Sequence, residues 1–238
     1  MARVLNVIFE DADLLVVNKP AGLVCHPTKD GELSSLVGRV RLYLGADGHL
    51  VNRLDRETSG VTVIAKNPVA AGELGKLWEN RAVQKEYLAI VHGTVEAETA
   101  EIEMPLGKDE KSIVAIKDCV RLDGALASTE FSVVRRFRRR GRSYTLLQLL
   151  PRTGRKHQLR IHLAAIGHPI VGDKLYGGNE DLYLAFVQSR LTPAQWEELQ
   201  MDNQALHACR IHFFWRGTER TFEAPPDRKF EEFSNGVE

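Results

Sequence analysis

Runs of apolar residues separated by turn residues predict a chain in which strands outnumber helices. The runs counted as strands are short and irregularly spaced. The predicted strands are Val4–Phe9, Leu14–Asn18, Val61–Ala65, Gln84–Val91, Ala100–Glu103, Ser112–Ile116, Ala127–Val134, Tyr144–Leu150, Ala208–Trp215 and Glu219–Glu223. Because helices do not alternate strictly with these strands, a doubly wound parallel sheet is disfavoured and an α+β fold is predicted.

Helices are predicted where apolar residues recur every three or four positions and capping residues stand at the ends. They run from an N-cap at Ser34 to Leu44 before Gly45, from Asn67-Pro68 to about Asn80, from Gly154 to Ile166 before Gly167, and from a capping box at Thr192 to about Gln200. No internal repeat or long linker separates them. We therefore expect one domain over residues 1–224 and a polar tail over residues 225–238.

Composition indicates a soluble protein of a reducing compartment. Its 238 residues are 43% hydrophobic, which is enough for a substantial core. The cysteines Cys25, Cys119 and Cys209 form no Cys-x-x-Cys pair, so neither a disulfide framework nor a thiolate zinc site is predicted. No signal-peptide pattern opens the chain, and no apolar run reaches the length of about 18 residues that a membrane span needs. We expect a cytoplasmic protein, and a monomer by default.

Charge is balanced overall but segregated along the chain. The 32 basic residues equal the 32 acidic ones, which argues against a generic nucleic-acid binder. From Phe131 to Gly172, however, there is no Asp or Glu, and the cations are Arg135, Arg136, Arg138, Arg139, Arg140, Arg142, Arg152, Arg155, Lys156 and Arg160. A basic segment of this kind attracts a polyanion, since counterion release acts locally. A solvated hairpin tip explains the run of arginines equally well.

One carboxylate stands between two arginines just before a predicted strand. Asp55 lies two residues after Arg53 and next to Arg56, ahead of the turn Thr58-Ser59-Gly60. Guanidinium groups close to a carboxylate favour its ionised form, and an ionised Asp can act as a nucleophile or a base. An Asp before a strand also closes loops with hydrogen bonds of its own. Taken alone, Asp55 fits that simpler interpretation.

The strand Gln84–Val91 carries an aromatic side chain with two possible uses. Strand periodicity places Tyr87 on the same face as Lys85. Most strand tyrosines pack in a sheet. A Tyr that faces a cleft offers its ring for stacking on a nucleobase.

The start of the third predicted helix is basic. Its cations and imidazole are Arg155, Lys156, His157 and Arg160. Because a helix N-terminus is itself positive, these groups repel one another unless an anion binds there. His157 and His162 are five residues apart with no Cys or carboxylate beside them, so a metal site is not predicted. No glycine-rich phosphate loop occurs, so no nucleotide cofactor is expected.

In order along the chain, several segments resemble the motifs of the RluA-type family of RNA pseudouridine synthases. They are Asn18-Lys19-Pro20-Ala21-Gly22-Leu23 with His26-Pro27, Arg53-Leu54-Asp55 with Thr58-Ser59-Gly60, Lys85-Glu86-Tyr87, Thr153-Gly154-Arg155 with His157-Gln158-Leu159-Arg160-Ile161-His162, Gly167-His168-Pro169-Ile170 with Gly172-Asp173 and Tyr176-Gly177, and Leu206-His207-Ala208. Ordered matches over residues 14–208 argue against chance far more strongly than one motif does.

The resemblance implies a fold and a reaction. The fold would be a single catalytic domain over residues 1–224, with a mixed, mainly antiparallel central sheet, flanking helices and a central RNA-binding cleft. The reaction would isomerise specific uridines to pseudouridine in structured ribosomal RNA or tRNA. The bond from N1 to C1′ breaks, the uracil turns, and C5 bonds to C1′, so the enzyme would be an isomerase (an intramolecular transferase) that needs no cofactor or metal.

The resemblance also implies roles for single residues. Asp55 would be the essential carboxylate, Tyr87 would stack on the target uracil, and Arg160 would form the salt bridge that keeps Asp55 ionised. Arg53 would fill the space that the flipped base leaves. The other RNA contacts expected are Arg56, Arg155, Lys156, His157, Arg138, Arg139 and Arg140.

Two features depart from the family pattern. Asn52 stands where many relatives have His, which bears on substrate or neighbour contacts more than on chemistry. After Leu206-His207-Ala208 the usual His-Pro is missing. With its first strand near Val4, the chain is not expected to have an N-terminal S4-like domain, so the hairpin Arg135–Arg142 is predicted to help select the RNA.

Two other functions compete with this one. A non-catalytic RNA-binding or RNA-folding protein would keep the basic segment while losing Asp55, Tyr87 or Arg160, and all three are present. A carboxylate-based hydrolase would need a second positioned acid. Glu57 is the nearest acid to Asp55 in sequence, and we expect it to be exposed.

Overall fold

The computed structural model, which describes residues 5–27 and 31–235, consists of strands and short helices. The strands are β1 (Val7–Glu10), β2 (Leu14–Lys19), β3 (His49–Leu50), β4 (Ser59–Ala65), β5 (Val83–His92), β6 (Thr99–Glu103), β7 (Leu106–Lys108), β8 (Asp118–Val120), β9 (Ser128–Arg139), β10 (Arg142–Pro151), β11 (Leu206–Trp215) and β12 (Thr218–Glu223). The helices are α1 (Leu36–Leu44), α2 (Pro68–Glu79), α3 (Gln158–Ala165), α4 (Asp181–Val187), α5 (Pro193–Leu199) and α6 (Arg228–Ser234). The α+β prediction, with mixed and mainly antiparallel strand pairing, is confirmed.

The chain forms two compact units, and each draws on two stretches of sequence. The first unit contains the residues up to Tyr87 together with His207–Arg228. The second contains Leu88–Leu206 together with the residues from Lys229 onward. Strand β5 carries the chain from the first unit to the second, and β11 carries it back.

In the first unit, β4 is the centre of a mixed sheet. β2 pairs antiparallel along one edge of β4, and β1 pairs antiparallel with β2. On the other edge of β4, β3 pairs antiparallel at Ile64 and Ala65, and β11 pairs parallel at Ser59 and Gly60. β12 is antiparallel to β11. Every residue of β4 is buried, which explains its continuous apolar run.

The side chains of β4 contribute to two apolar clusters of the first unit. Val61, Val63 and Ala65 belong to a cluster that includes residues of α2 and the aromatic residues of β11 and β12. Ile64 belongs to another cluster, which includes residues of α1. Strand periodicity accounts for this division, because successive side chains point to opposite faces.

In the second unit, β6, β9 and β10 form an antiparallel sheet in that order, and β7 pairs with β8 separately. The turn between β9 and β10 consists of Arg140 and Gly141, which have positive φ angles of 46° and 72°. Two positive φ angles match the twist of tight hairpins. Helix α6 packs its Phe233 ring edge-on against Tyr144 of β10, with 5.1 Å between ring centroids.

Several helix boundaries agree with the sequence and two do not. Asn67 caps α2 and Thr192 forms both bonds of a capping box at α5, as predicted. The cap of α1 is Ser35, because the predicted cap Ser34 belongs to a preceding 3-10 turn. Helix α3 begins at Gln158 and not near Gly154, since the left-handed backbone of His157 (φ 55°) prevents an earlier start.

Other elements were predicted wrongly or missed. Residues Ser112–Ile116 form turns and no strand, and Ile113 is 72% exposed, so their apolar character does not reflect burial in a sheet. Helix α4 was not predicted. The predicted polar tail over residues 225–238 contains α6, whose Phe230 and Phe233 are buried. Val4, the predicted start of the first strand, lies outside the described residues.

Candidate active site

The loop between β3 and β4, residues 51–58, carries Asp55 and is called the Asp55 loop below. Its side chains alternate between protein and solvent: Leu54 is buried, whereas Arg53 and Arg56 are exposed. Asp55 itself is half-buried. The arrangement gives a half-buried carboxylate with one exposed guanidinium group on each side of it in sequence.

The backbone of the Asp55 loop is held by hydrogen bonds from the last residue of β2 and from the segment that follows β2. Gly22 N donates to the carbonyl oxygen of Arg56 at 2.9 Å, and Lys19 Nζ donates to the same oxygen at 3.2 Å. Cys25 Sγ donates to the carbonyl oxygen of Leu54 at 3.3 Å. These bonds hold the peptide groups on both sides of Asp55.

Lys19 is a fully buried ammonium group beneath the loop. Besides Arg56, its Nζ donates to the carbonyl oxygens of Leu23 at 2.8 Å and Pro20 at 3.0 Å, so its three protons have three acceptors. Burial lowers the pKa of Lys19 to about 8, against the opposing influence of Cys25 and Asp55. Lys19 therefore remains charged at neutral pH.

The far end of the Asp55 loop is fixed by a buried imidazole. His207 Nε2 lies 2.9 Å from the carbonyl oxygen of Ala224 and Nδ1 lies 2.8 Å from Ser59 Oγ. A carbonyl only accepts, so Nε2 carries the proton and the Ser59 hydroxyl donates to Nδ1. Burial lowers the pKa of His207, while Ala224 and Asp227 oppose this, and the neutral ring is favoured.

Gly60 follows Ser59 where β4 and β11 run side by side. Its φ of +122° suits glycine, and a Cβ at this position would lie 2.2 Å from the carbonyl oxygen of Ala208. The glycine of the Thr-Ser-Gly turn is thus required for the close approach of the two backbones. Ser59 and Gly60 together fix where the Asp55 loop rejoins the sheet.

Asn52, the departure from the family pattern, lies at the near end of the loop and is 8% exposed. Its Nδ2 donates to the carbonyl oxygen of Val61 at 3.2 Å, and its Oδ1 accepts from Val63 N at 2.8 Å. The neighbour contacts that the departure from His was expected to change are therefore contacts with the backbone of β4.

Tyr87 lies on β5 within the first unit and is half-buried. Burial raises the pKa of its phenol, and the negative charge of Asp55 raises it further, followed by Cys209. The phenol is therefore protonated at neutral pH. The electrostatic influence of Asp55 on Tyr87 brings together two of the residues that the resemblance implies for catalysis.

Arg160, on α3 in the second unit, forms a buried ion pair with Asp173. Its Nε and one terminal nitrogen donate to the two carboxylate oxygens at 2.7 and 2.9 Å, and its Cζ lies 4.9 Å from the centre of the Tyr176 ring. Burial alone would raise the pKa of Asp173, but the Arg160 charge and hydrogen bonds hold it below its usual value. Pairing of Arg160 with Asp55 stays a prediction.

The other basic groups at the start of α3 also have partners. Arg155 Nε donates to the carbonyl oxygen of Leu126 at 3.1 Å, and Lys156 Nζ lies 2.8 Å from a carboxylate oxygen of Asp118. His157 Nδ1 lies 2.9 Å from the Tyr176 hydroxyl. Hydrogen bonds and an ion pair within the protein thus compensate part of the positive charge that led us to expect an anion.

Four arginines of the β9–β10 hairpin form two pairs with different contacts. Arg139 donates to the carbonyl oxygen of Glu232 at 3.0 Å and lies over the Phe233 ring, and Arg135 donates to the carbonyl oxygen of Ser234. These carbonyls end α6, where a helix attracts cations. In contrast, Arg138 donates to Gly141 within the hairpin, and Arg140 is exposed at the turn.

Two supports of the site were not identified as such from the sequence. Lys19 and His207 stand in the family motifs, but their contacts with the Asp55 loop depend on the fold. A usable signal was present, since Lys19 ends a buried apolar strand and His207 stands between apolar residues. Within residues 5–27 and 31–235, no three His, Cys, Asp or Glu side chains are grouped to hold a metal ion. In that same part of the chain, no helix combines the length and hydropathy of a membrane span.

Comparison with known proteins identifies the family. The RNA pseudouridylate synthase family model matches residues 13–165. The chain belongs to this family. The dual-specificity RNA pseudouridine synthase RluA of Vibrio vulnificus is 41% identical over 87% of this chain and 82% of its own length. The predicted membership of the RluA-type family of isomerases is confirmed.

Other relatives are similar over most of this chain. The ribosomal large subunit pseudouridine synthase D of Vibrio cholerae is 33% identical over 94% of this chain and 68% of its own length. YhcT of Bacillus subtilis, an uncharacterized RNA pseudouridine synthase, is 33% identical, and this chain spans 63% of its length. The solved structure of human RNA pseudouridylate synthase domain containing 1 has 26% identity and a TM-score of 0.75, covering 93% of this chain and 83% of that one.

Proposed function

We propose that this protein is an RNA pseudouridine synthase that isomerises specific uridines in structured ribosomal RNA or tRNA. The observation that carries the proposal is the half-buried Asp55, which stands in a family motif. Hydrogen bonds to the backbone of its loop hold it, and its charge contributes to the raised pKa of the Tyr87 phenol. A carboxylate held in this way needs little rearrangement before it reacts, which is how positioned groups lower a barrier.

In the proposed mechanism, Asp55 is the essential carboxylate. It attacks the base or the sugar, or removes a sugar proton, while the bond from N1 to C1′ breaks. The ring of Tyr87, whose hydroxyl is protonated, stacks on the uracil as it turns. C5 then bonds to C1′ and gives up its proton, while N1 takes up a proton. Any bond formed to Asp55 breaks in this step, and any proton taken from the sugar returns to it, so the product is an isomer of the substrate. Arg160 supplies positive charge for the Asp55 carboxylate. The exposed Arg53 enters the space that the flipped uridine leaves, since the glycosidic bond is out of reach inside a stacked helix.

Ribosomal RNA and tRNA are the proposed substrates. The name of the Vibrio cholerae relative refers to the ribosomal large subunit, and the relative from Vibrio vulnificus is described as having dual specificity. Contacts with RNA phosphates would come from the exposed cations Arg56, Arg155, Lys156, Arg138 and Arg140, and from His157 and Arg139. Positive side chains at these places add affinity by releasing counterions.

Replacing Asp55 tests the reaction. We expect Asp55→Asn to lower turnover by at least about 10⁴-fold, as for other essential nucleophiles, while RNA binding survives. Pseudouridine is mapped in total RNA from cells with and without the gene, and the missing site then serves as the assay substrate. Appreciable isomerisation by Asp55→Asn would refute the assignment. An unchanged pseudouridine map, with RNA binding retained, would favour the non-catalytic RNA-binding protein.

Two pairs of hairpin arginines test the RNA contact. We expect Arg138→Gln with Arg140→Gln to weaken RNA binding and to reduce the slope of log K against log salt by about 2, since two phosphates lose their cations. The matched control is Arg135→Gln with Arg136→Gln, which removes equal charge from arginines that bind the carbonyl oxygen of Ser234 and the carboxylate of Glu98. Equal slopes for both double variants would contradict a special role for Arg138 and Arg140.

A further inference from the structure

The edge of β4 beside the Asp55 loop has two partner strands with a gap between them. β3 pairs near one end of β4, and its ladder runs as far as the bond from Val51 N to the carbonyl oxygen of Val63, 2.9 Å long. β11 pairs near the other end, at Ser59 and Gly60. Between these two strands, β4 still presents the N–H of Val63 and the carbonyl group of Val61 on this edge.

The side-chain amide of Asn52 fills this gap. It accepts from Val63 N at 2.8 Å and donates to the Val61 oxygen at 3.2 Å, so it provides the acceptor and the donor that a peptide group of a partner strand would provide. Asn52 is 8% exposed, and Val61 and Val63 are fully buried. Without the amide, two buried backbone groups would lose their partners, which proteins rarely tolerate.

Because the Asn52 side chain takes the place of a partner peptide group, the main chain can leave the edge of β4 at Asn52 without breaking the hydrogen-bond ladder. The main chain turns away at Asn52 while its side chain continues the ladder, and Asp55 follows three residues later. The opposite end of the loop is fixed by Ser59 and His207, 2.8 Å apart. These two anchors fix the ends of the loop, and the bonds from Lys19, Gly22 and Cys25 hold its middle, so together they position Asp55.

We propose that Asn52 is a positioning residue for the reaction, acting by holding the start of the Asp55 loop against β4. The inference rests on the proposed function, in which Asp55 is the essential carboxylate. The requirement is one donor and one acceptor on one short side chain. A neutral histidine also has one N–H and one acceptor nitrogen, whereas leucine has the size of asparagine and neither group.

The test compares Asn52→Leu, Asn52→His and a matched control. We expect Asn52→Leu to lower kcat by roughly 10- to 100-fold with KM nearly unchanged, because small displacements of a reacting group are costly. Asn52→His should keep kcat within about threefold of the unchanged protein, since both bonds can form. The control is Asn67→Ala, two residues after the end of β4. It removes the hydrogen bond that Asn67 Oδ1 accepts from Ala70 N at 2.9 Å and the one that Asn67 Nδ2 donates to Asp13 Oδ1 at 2.7 Å. It should leave kcat unchanged.

Hydrogen exchange of the loop amides gives a second measurement that does not depend on catalysis. Residues 53–58 should exchange faster in Asn52→Leu and not in Asn67→Ala. If Asn52→Leu does not fold, Asn52→Asp, which keeps the acceptor and lacks the donor, takes its place. Normal kcat and normal exchange in the Asn52 variant would overturn the positioning role. If the unchanged protein forms no pseudouridine, the proposed function fails, and the exchange comparison still decides whether Asn52 holds the loop.

Discussion

The two units of the protein fix their charged residues in different ways. In the first unit, hydrogen bonds to the backbone of the Asp55 loop, from Lys19, Gly22 and Cys25, hold the half-buried Asp55 in place. In the second unit, Arg160 and Asp173 hold each other through a buried ion pair. Neutralising Asp55 should therefore change the free energy of unfolding little, because its loop is held through the backbone. Neutralising Asp173 should lower the free energy of unfolding, because its charge is itself the contact.

The largest effect on stability is expected from Asp173→Asn. The Arg160 guanidinium would lose its buried countercharge, and breaking a buried pair by changing one partner costs about 3–5 kcal/mol. The Asp173 Oδ1 atom also accepts from the backbone N–H groups of Leu175 and Tyr176, at 2.9 and 3.0 Å, and asparagine keeps an oxygen that can accept both, so the loss measures the ion pair. Urea denaturation of the variant and the unchanged protein measures the difference in unfolding free energy.

Asp55→Asn is the control that sharpens the comparison. The Asp55 carboxylate is half-buried, and its loop is held through hydrogen bonds to the loop's own peptide groups. The free energy of unfolding should therefore change by less than about 1 kcal/mol. The two Asp→Asn variants thus make the same chemical change in the two units. A loss from Asp55→Asn as large as that from Asp173→Asn would show that the Asp55 charge is also a structural contact.

What the sequence could predict depends on how local the causes are. The Asp55 loop, the caps at Asn67 and Thr192 and the tight turn of the hairpin follow from neighbouring residues, and the structure agrees with them. The partner of Arg160 does not follow in this way, because Asp173 stands thirteen residues away and meets it only through the fold.

Helix α6 shows the same limit on prediction. Its seven residues are mostly polar, and the helix is stabilised by Phe230 and Phe233 and by arginines almost a hundred positions earlier. Short helices draw most of their stability from tertiary packing. A polar tail was therefore the natural interpretation of the sequence. The same contacts show Arg135 and Arg139 binding the end of a helix, a use that neither expectation for the arginine run, polyanion binding or a solvated tip, had included.

A smaller effect is expected from the bond between Ser59 and His207 in the first unit. Ser59→Ala removes the hydroxyl, and His207→Gln can place its amide N–H near the position of Nε2 for Ala224 but has no acceptor at the position of Nδ1 for Ser59. We expect each to reduce kcat several-fold, equivalent to about 1 kcal/mol, the usual net value of one hydrogen bond.

A double-mutant cycle separates this bond from other effects of the substitutions. If the two residues act through their shared hydrogen bond, the double variant should be no slower than the slower single variant. Additive losses would mean that Ser59 and His207 affect the Asp55 loop independently.

The smallest effect is a loss of stability in mild acid, to which both units contribute. Burial lowers the pKa of His162 in the second unit and of His207 in the first below 6.5, so the unfolded chain binds protons first as the pH falls. Stability is therefore full above about pH 7 and declines as the pH drops through 6.5, before the carboxylates of the unfolded chain begin to take up protons near about pH 4. Urea midpoints measured from pH 7.5 to 5 should show this slope, and His207→Gln should reduce it. An unchanged slope in that variant would assign the whole acid sensitivity to the second unit.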